Sequence, residues 1–246
     1  MARSKVIKRF GSMCLNSQPM DVGAEYHDEA FCFGDTVSRK EIRWVDTGSI
    51  LVADRCICTN ISWAQLDDMG YIFGRAVRID GKSYWCRSLE VGSRPGANSE
   101  WDRLLKEFGD SDERWHWADG YFWGQTIPAE TAFPDDPPSR VVRGFVQPSK
   151  WWYQGVQEHH SLVGFRPVLE PLESMPPFDT LIGKHLFLYG PQKYPLEGIL
   201  VGVDEYDLVL ADASSLKSGC SWAVEAENRQ ILVRKDDVIW LEVAYR

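Results

Sequence analysis

The chain has 246 residues, of which 44% are hydrophobic and 26% charged, with a formal net charge of −9 and 11 tryptophans. That composition describes a globular protein with room for one large or two small domains, and its acidic balance argues against a general nucleic-acid-binding surface, which requires a basic footprint. No apolar run approaches the roughly 20 residues of a membrane span, and the basic start MARSKVIKRFGSMCLNS lacks the apolar centre of a signal peptide, so no membrane partner and a cytoplasmic location are expected.

Residues 1–55 form a strand-containing segment expected to belong to the first domain. Phe31-Cys32-Phe33-Gly34 and Ile42-Arg43-Trp44-Val45 are short strand-like runs, and Ile50-Leu51-Val52-Ala53 reads as a buried strand. Asn60 or Ser62 can cap a short helix that ends at Met69-Gly70. Two alternating runs, Arg75–Ile79 and Lys82–Leu89, flank Asp80-Gly81, the preferred two-residue type I′ hairpin turn. Asn98 is placed to cap a helix over Ser99–Phe108, with Trp101, Leu104, Leu105 and Phe108 on one apolar face. Glu100 and Asp102 read as surface charge on the other face. A long irregular stretch containing Pro134, Pro137 and Pro138 follows, to Ser139.

The next stretch, Arg140–Leu169, has strand-like ends: Val141-Val142-Arg143-Gly144-Phe145 and Leu162–Leu169. Between them, residues 147–161 mix aromatics with adaptable polar groups and show no clean period, which is the composition of a binding loop. Trp151, Trp152, Tyr153, Gln154, Gln157, Glu158 and His159 are the candidate contacts for a protein or small ligand. Neighbouring positions in an extended segment face opposite ways, so one of Trp151 and Trp152 is expected to be buried and the other exposed. The same geometry separates His159 from His160 and argues against a metal role for the pair. Glu158 beside His159 could serve acid–base chemistry, but reads first as a solvated carboxylate.

Glu170–Pro177 is rich in proline and acid, and a linker is expected over 171–179. Beyond it, Lys184–Tyr189, Leu196–Val203, Asp207–Leu210, Gln230–Val233 and Asp237–Leu241 are five short strand signals, spaced as in a small barrel over 180–246. The six cysteines, Cys14, Cys32, Cys56, Cys58, Cys86 and Cys220, have no metal-ligand spacing and are expected as buried thiols. No phosphate loop, nucleophile elbow or metalloprotease helix is present, so no catalytic residue, metal or cofactor is expected.

Two resemblances add to this reading. RVVRG, an irregular loop, GFRPV, the upstream NSEWDRLL from Asn98 and the Trp123-Gly124 turn resemble the C-type-lectin-like fold. The relevant branch is that of formylglycine-generating enzymes and the variable proteins of diversity-generating retroelements, over about residues 57–169. The resemblance implies an α+β, C-type-lectin-like domain over 56–170 that displays residues 147–161. The formylglycine-generating enzymes use cysteines in the closing loop, and Gly144–Gly164 contains none, which excludes that oxidation here. LEGILVGVDEYDLVLADA from Leu196 and ILVRKDDVIWLEV from Ile231 resemble the two halves of an Sm-like domain, over about 180–246. By position, Asp204, Tyr206, Asp207, Arg234 and Lys235 would occupy that family's uridine pocket. Asp207 stands where the family has a base-reading Asn, and Lys235 replaces its Gly.

The expected function is non-enzymatic binding by a phage- or mobile-element-encoded protein, with the Sm-like domain as an assembly or docking module able to form a homo-oligomer. The alternative is an RNA-linked regulator, or a phage-encoded inhibitor of a bacterial defence system, acting through the Sm-like domain.

Overall fold

A computed structural model describes residues 6–130, 138–213, 221–226 and 230–244. Pro134, Pro137 and Cys220 lie outside them. Among the described residues strand accounts for 43% and helix for 13%, the latter made of three short α-helices, Trp63–Asp68, Glu100–Phe108 and Asp112–Trp115, with short 3-10 turns. The expected α+β class is therefore overturned: the protein is mostly β, built from curled, largely antiparallel sheets. Two stretches without clean alternation are strands that the sequence did not announce. The strand Val6–Leu15 buries Met13, Cys14 and Leu15 in succession, and a strand covered on both faces loses its period-two signature. Residues 147–155, expected as loop, are a nine-residue strand.

The chain divides into two compact units, Met1–Gly74 with Arg78–Pro171, and Leu172–Arg246 with Arg75–Val77. In the first unit, one sheet places Val6–Leu15, Glu41–Asp46, Leu51–Ala53, Val168–Pro171 and Lys82–Arg87 side by side, all antiparallel. Asp80 and Gly81, at φ 50° and 72°, make the tight turn into Lys82–Arg87. The second sheet runs Gln147–Gly155, Ser139–Gly144, Tyr121–Trp123, Val163–Phe165, Cys58–Thr59 and Ala24–Glu25. Its Tyr121–Trp123/Val163–Phe165 and Cys58–Thr59/Ala24–Glu25 pairs are parallel. The run Leu162–Leu169, expected as one strand, breaks at Arg166-Pro167. Val163–Phe165 joins the second sheet and Val168–Pro171 the first. Proline biases the residue before it and donates no backbone hydrogen bond, so one run can serve two sheets.

Ser99, rather than Asn98, caps the helix Glu100–Phe108: its Oγ accepts from the Asp102 backbone N–H at 3.1 Å. The apolar face of the helix buries Trp101, Leu104 and Phe108 with Trp115, Phe122, Val141 and Val168. Trp101 meets Trp115 and Phe122 edge-on at 5.1 and 5.0 Å. Truncating a buried ring of this size costs about 3–5 kcal/mol.

The second unit is an antiparallel six-stranded sheet in the order Ala223–Glu225, Ile231–Arg234, Asp207–Ala211, Leu196–Val203, His185–Tyr189, Trp240–Val243. Leu186, Leu188, Leu200, Leu208, Leu210 and Val233 fill its core. The stretch expected as a linker over 171–179 is only partly one. Pro171 closes a strand of the first unit, while Met175 and Phe178 pack against the core of the second. Their apolar side chains gain more from burial than an extended linker would give them.

Candidate binding site

Residues 147–155 pair antiparallel with Ser139–Gly144, Val142 lying opposite Trp152 and Val141 opposite Tyr153. The turn of this hairpin is made by Gly144 at φ 109° and Phe145 at φ 72°. A Cβ on Gly144 would come within 2.7 Å of the Gly120 carbonyl oxygen, so both the left-handed conformation and the close approach require glycine there. The register slips after Arg143, which faces Trp151, while Gly144 faces Gln147. Residues 148–150 are therefore bulged out. The bulge is anchored: the buried Trp101 ring N–H donates to the Pro148 carbonyl at 2.8 Å.

A buried charge holds the other strand. Arg143, 2% exposed, donates to Asp102 Oδ1 at 2.5 Å and to the Val91 carbonyl at 2.8 Å. Burial works to raise the Asp102 carboxyl, but hydrogen bonds from Arg143 and Ser99 outweigh it and hold the group below its usual range. Glu100 bonds Arg87 at 2.6 and 2.8 Å; burial again opposes the shift, and the arginine again keeps the carboxyl low. Neither acid is the loose surface charge that the sequence suggested.

Trp151 turns inward. Half-buried against the core, it donates its ring N–H to the Gly92 carbonyl at 3.0 Å. Trp152 turns outward, is 53% exposed, and stacks on Tyr153 with ring centroids 5.6 Å apart and planes 11° apart. The Lys150 ammonium lies 5.9 Å from the Trp152 ring. Here an open groove of about 950 Å³ is lined by Trp152, Tyr153, Tyr121, Phe145, Lys150 and Glu158, among others. Its walls combine four aromatic rings and several aliphatic residues with the polar groups of Ser139, Lys150, Gln154, Glu158 and His160, a mixture that can hold and orient a ligand.

Four of the seven expected contacts, Trp152, Tyr153, Gln154 and Glu158, line this groove. Trp151, Gln157 and His159 do not. Trp151 is used for packing, Gln157 is exposed, and the His159 Nδ1 lies 3.0 Å from the Asn60 carbonyl oxygen. His160 lines the groove in place of His159. Tyr121, Phe145 and His160 are lining residues that the sequence reading missed.

A smaller cavity of about 340 Å³ includes Arg55, Cys56 and Asp119 in its wall. Behind it, the buried Asp54 is paired with Arg55 at 3.1 Å, Arg43 at 3.2 Å and His116 at 3.4 Å. Burial, and then the neighbouring Arg55, lower the affinity of His116 for a proton. Burial pushes the Cys56 thiol up to about 11 and the Cys58 thiol further still, so neither is a reactive thiolate at neutral pH. The expectation of buried thiols fails at Cys32, which is exposed. Among the described residues, no group of three or more His, Cys, Asp or Glu side chains is placed to hold a metal ion.

In the second unit the five residues matched to the uridine pocket lie together. Asp204 Oδ1 accepts from the backbone N–H groups of Tyr206 at 2.8 Å and Asp207 at 2.7 Å, and these bonds keep its carboxyl low. Asp207 sits opposite Arg234. The Lys235 ammonium donates to the Asp204 carbonyl, and its backbone N–H to the Tyr206 carbonyl at 2.9 Å. Arg234 reaches Asp237 at 3.3 Å. Tyr206 is left 70% exposed.

Comparison with protein-family models, with curated proteins and with solved structures gives no match. Among the described residues, no helix is long and apolar enough to cross a membrane.

Proposed function

We propose that this chain is a non-enzymatic binding protein whose 139–155 hairpin presents the aromatic groove to a protein partner or small ligand. The observation that carries this reading is the stack of the exposed Trp152 on Tyr153, on a strand that Pro148 and Trp151 anchor to the core. An aromatic held in place before binding loses little freedom on contact, and exposed Trp and Tyr of this kind dominate recognition energies. A cytoplasmic site of action and a mobile-element origin go with this reading. The motifs quoted for the lectin-like branch support the origin.

The deciding experiment is affinity capture from cell extract with the intact protein and with Trp152→Ala, compared at equal stability. A partner retained by the first and lost by the second supports the groove. A partner retained equally by both refutes it.

A second reading is favoured by Tyr206, the exposed ring on a turn braced by Lys235. In it the second unit is an Sm-like module that docks, assembles into a homo-oligomer or binds RNA, in the setting of an RNA-linked regulator or a phage inhibitor of bacterial defence. Its strand order, with Trp240–Val243 returning beside His185–Tyr189, supports the resemblance. Any RNA bound there should leave in high salt, since phosphate contacts are salt-sensitive.

A further inference from the structure

The strands Val6–Leu15 and Phe31–Gly34 run antiparallel, with Cys14 directly opposite Cys32. Residues so opposed share one face of the sheet, with Cα atoms about 4.5–5.5 Å apart. That separation falls inside the roughly 4.4–6.8 Å that a disulfide spans. The two thiols are close enough for Cys32 to act on the Cys14 proton. A Cβ on Gly34 would come within 2.9 Å of the Cys14 sulfur, so the room for that sulfur comes from a missing side chain. The two thiols differ in access, Cys14 being buried and Cys32 exposed. Neither contributes to the groove or to the smaller cavity.

We propose that Cys14 and Cys32 are a dithiol site that closes to a cross-strand disulfide by exchange with a low-molecular-weight disulfide such as oxidised glutathione. Cys32, the reachable thiol, gives its proton to solvent and its sulfur attacks the small disulfide. That S–S bond breaks, and the first small thiolate leaves and takes up a proton. The mixed disulfide on Cys32 now faces Cys14. The Cys14 sulfur loses its proton and attacks the Cys32 sulfur, and the second small thiolate leaves and is protonated in turn. In sum the two cysteines lose two electrons and two protons, and the small disulfide gains both to become two thiols. Burial, and then the neighbouring Cys32, raise the Cys14 thiol, which suits Cys32 to the first attack and Cys14 to the second.

Closure would tie down the strand that carries Phe31 and Phe33, whose rings pack on Tyr71 at 5.1 and 5.7 Å. A loop of this length closed by a disulfide is expected to move the thermal midpoint up by roughly 5–10 °C.

The test uses the full chain. Both cysteines, and no others, fall in the tryptic peptide Phe10–Arg39, so closure is read as one unalkylated peptide lighter by two hydrogens. After incubation with oxidised glutathione and alkylation of remaining thiols, that peptide is the expected product, reversed by dithiothreitol. It should form at least about tenfold faster in the folded chain than in urea, because the fold holds the sulfurs in place. Cys32→Ser should leave Cys14 alkylated. The proposal is overturned by a peptide alkylated at both positions, by a glutathione adduct that persists on Cys32, by a Cys32-linked dimer, by equal rates in folded and unfolded chains, or by an unmoved midpoint.

Discussion

The hairpin groove of the first unit and the 204–207 turn of the second both expose an aromatic ring, but they are held by different means. Trp152 belongs to a hairpin fixed from beneath: on its partner strand Arg143 is tied to Asp102, and on its own strand Trp101 holds Pro148 and Trp151 is fixed to Gly92. Tyr206 sits on a turn that braces itself through Asp204 and Lys235, whose polar atoms are largely taken up by local backbone groups. At the groove, core interactions stabilise a surface that leaves Lys150, Trp152 and Gln154 open to a ligand. At the turn, the groups that would recognise a ligand are the same groups that hold the loop.

The sharpest way to break this comparison is to remove the buried charge. Arg143→Met should destabilise the first unit by about 3 kcal/mol, because it leaves Asp102 without its partner. Thermal unfolding followed by Trp fluorescence would measure it. A loss below about 1 kcal/mol would mean that the hairpin is held by packing alone.

Next in size, Trp151→Ala should cost about 2 kcal/mol, less than a fully buried ring, while Trp152→Ala should stay within about 0.5 kcal/mol of the parent. Urea titrations of the two variants separate them, and equal losses would deny the groove its division between anchor and contact.

Acid gives a smaller, graded effect. Asp102 and Glu100 have depressed folded-state pKa values, so their contribution to stability is fully present above the unfolded carboxylate range of about 4. It is lost as pH falls through their lower folded values. Urea midpoints measured from pH 7 down to pH 3 should fall in that acid window, and Asp102→Asn should flatten the dependence. An unchanged slope in that variant would count against the Arg143 tie.

The smallest effect is expected at the turn. Tyr206→Ala should leave stability within about 0.5 kcal/mol. If RNA is bound there, affinity for an oligouridylate should fall by about 1–3 kcal/mol. Fluorescence anisotropy at two salt concentrations reads this, and identical binding by parent and variant removes the turn from consideration as a nucleic-acid site.

Local signals in the sequence translate well into local structure. Asp80-Gly81 names its own turn, and the spacing of Trp101, Leu104 and Phe108 marks the buried face of their helix. The groove was only half legible. Consecutive Trp151, Trp152 and Tyr153 hide a strand because both of its faces carry aromatics, and Phe145 enters the groove only because the turn takes a positive φ there. The charged ties were not legible at all. Arg143 and Asp102 are 41 residues apart, and a helical acid with a distant partner has the same local sequence as a solvated one. The fold class failed for a different reason: it rested on the likeness of a few short motifs to the lectin-like fold, and local motifs do not report how much strand lies between them.

The bulge at residues 148–150 bears on how this protein could change. Along one nine-residue strand, Pro148 and Trp151 hold the structure, while Lys150, Trp152 and Gln154 face the groove and make none of the hydrogen bonds to the core described above. The residues that hold the fold and those proposed to meet a ligand are different members of the same segment. Substitutions at the outward positions can therefore accumulate without loss of the scaffold, and a library randomised at those three sites would sample new specificities from chains that still fold.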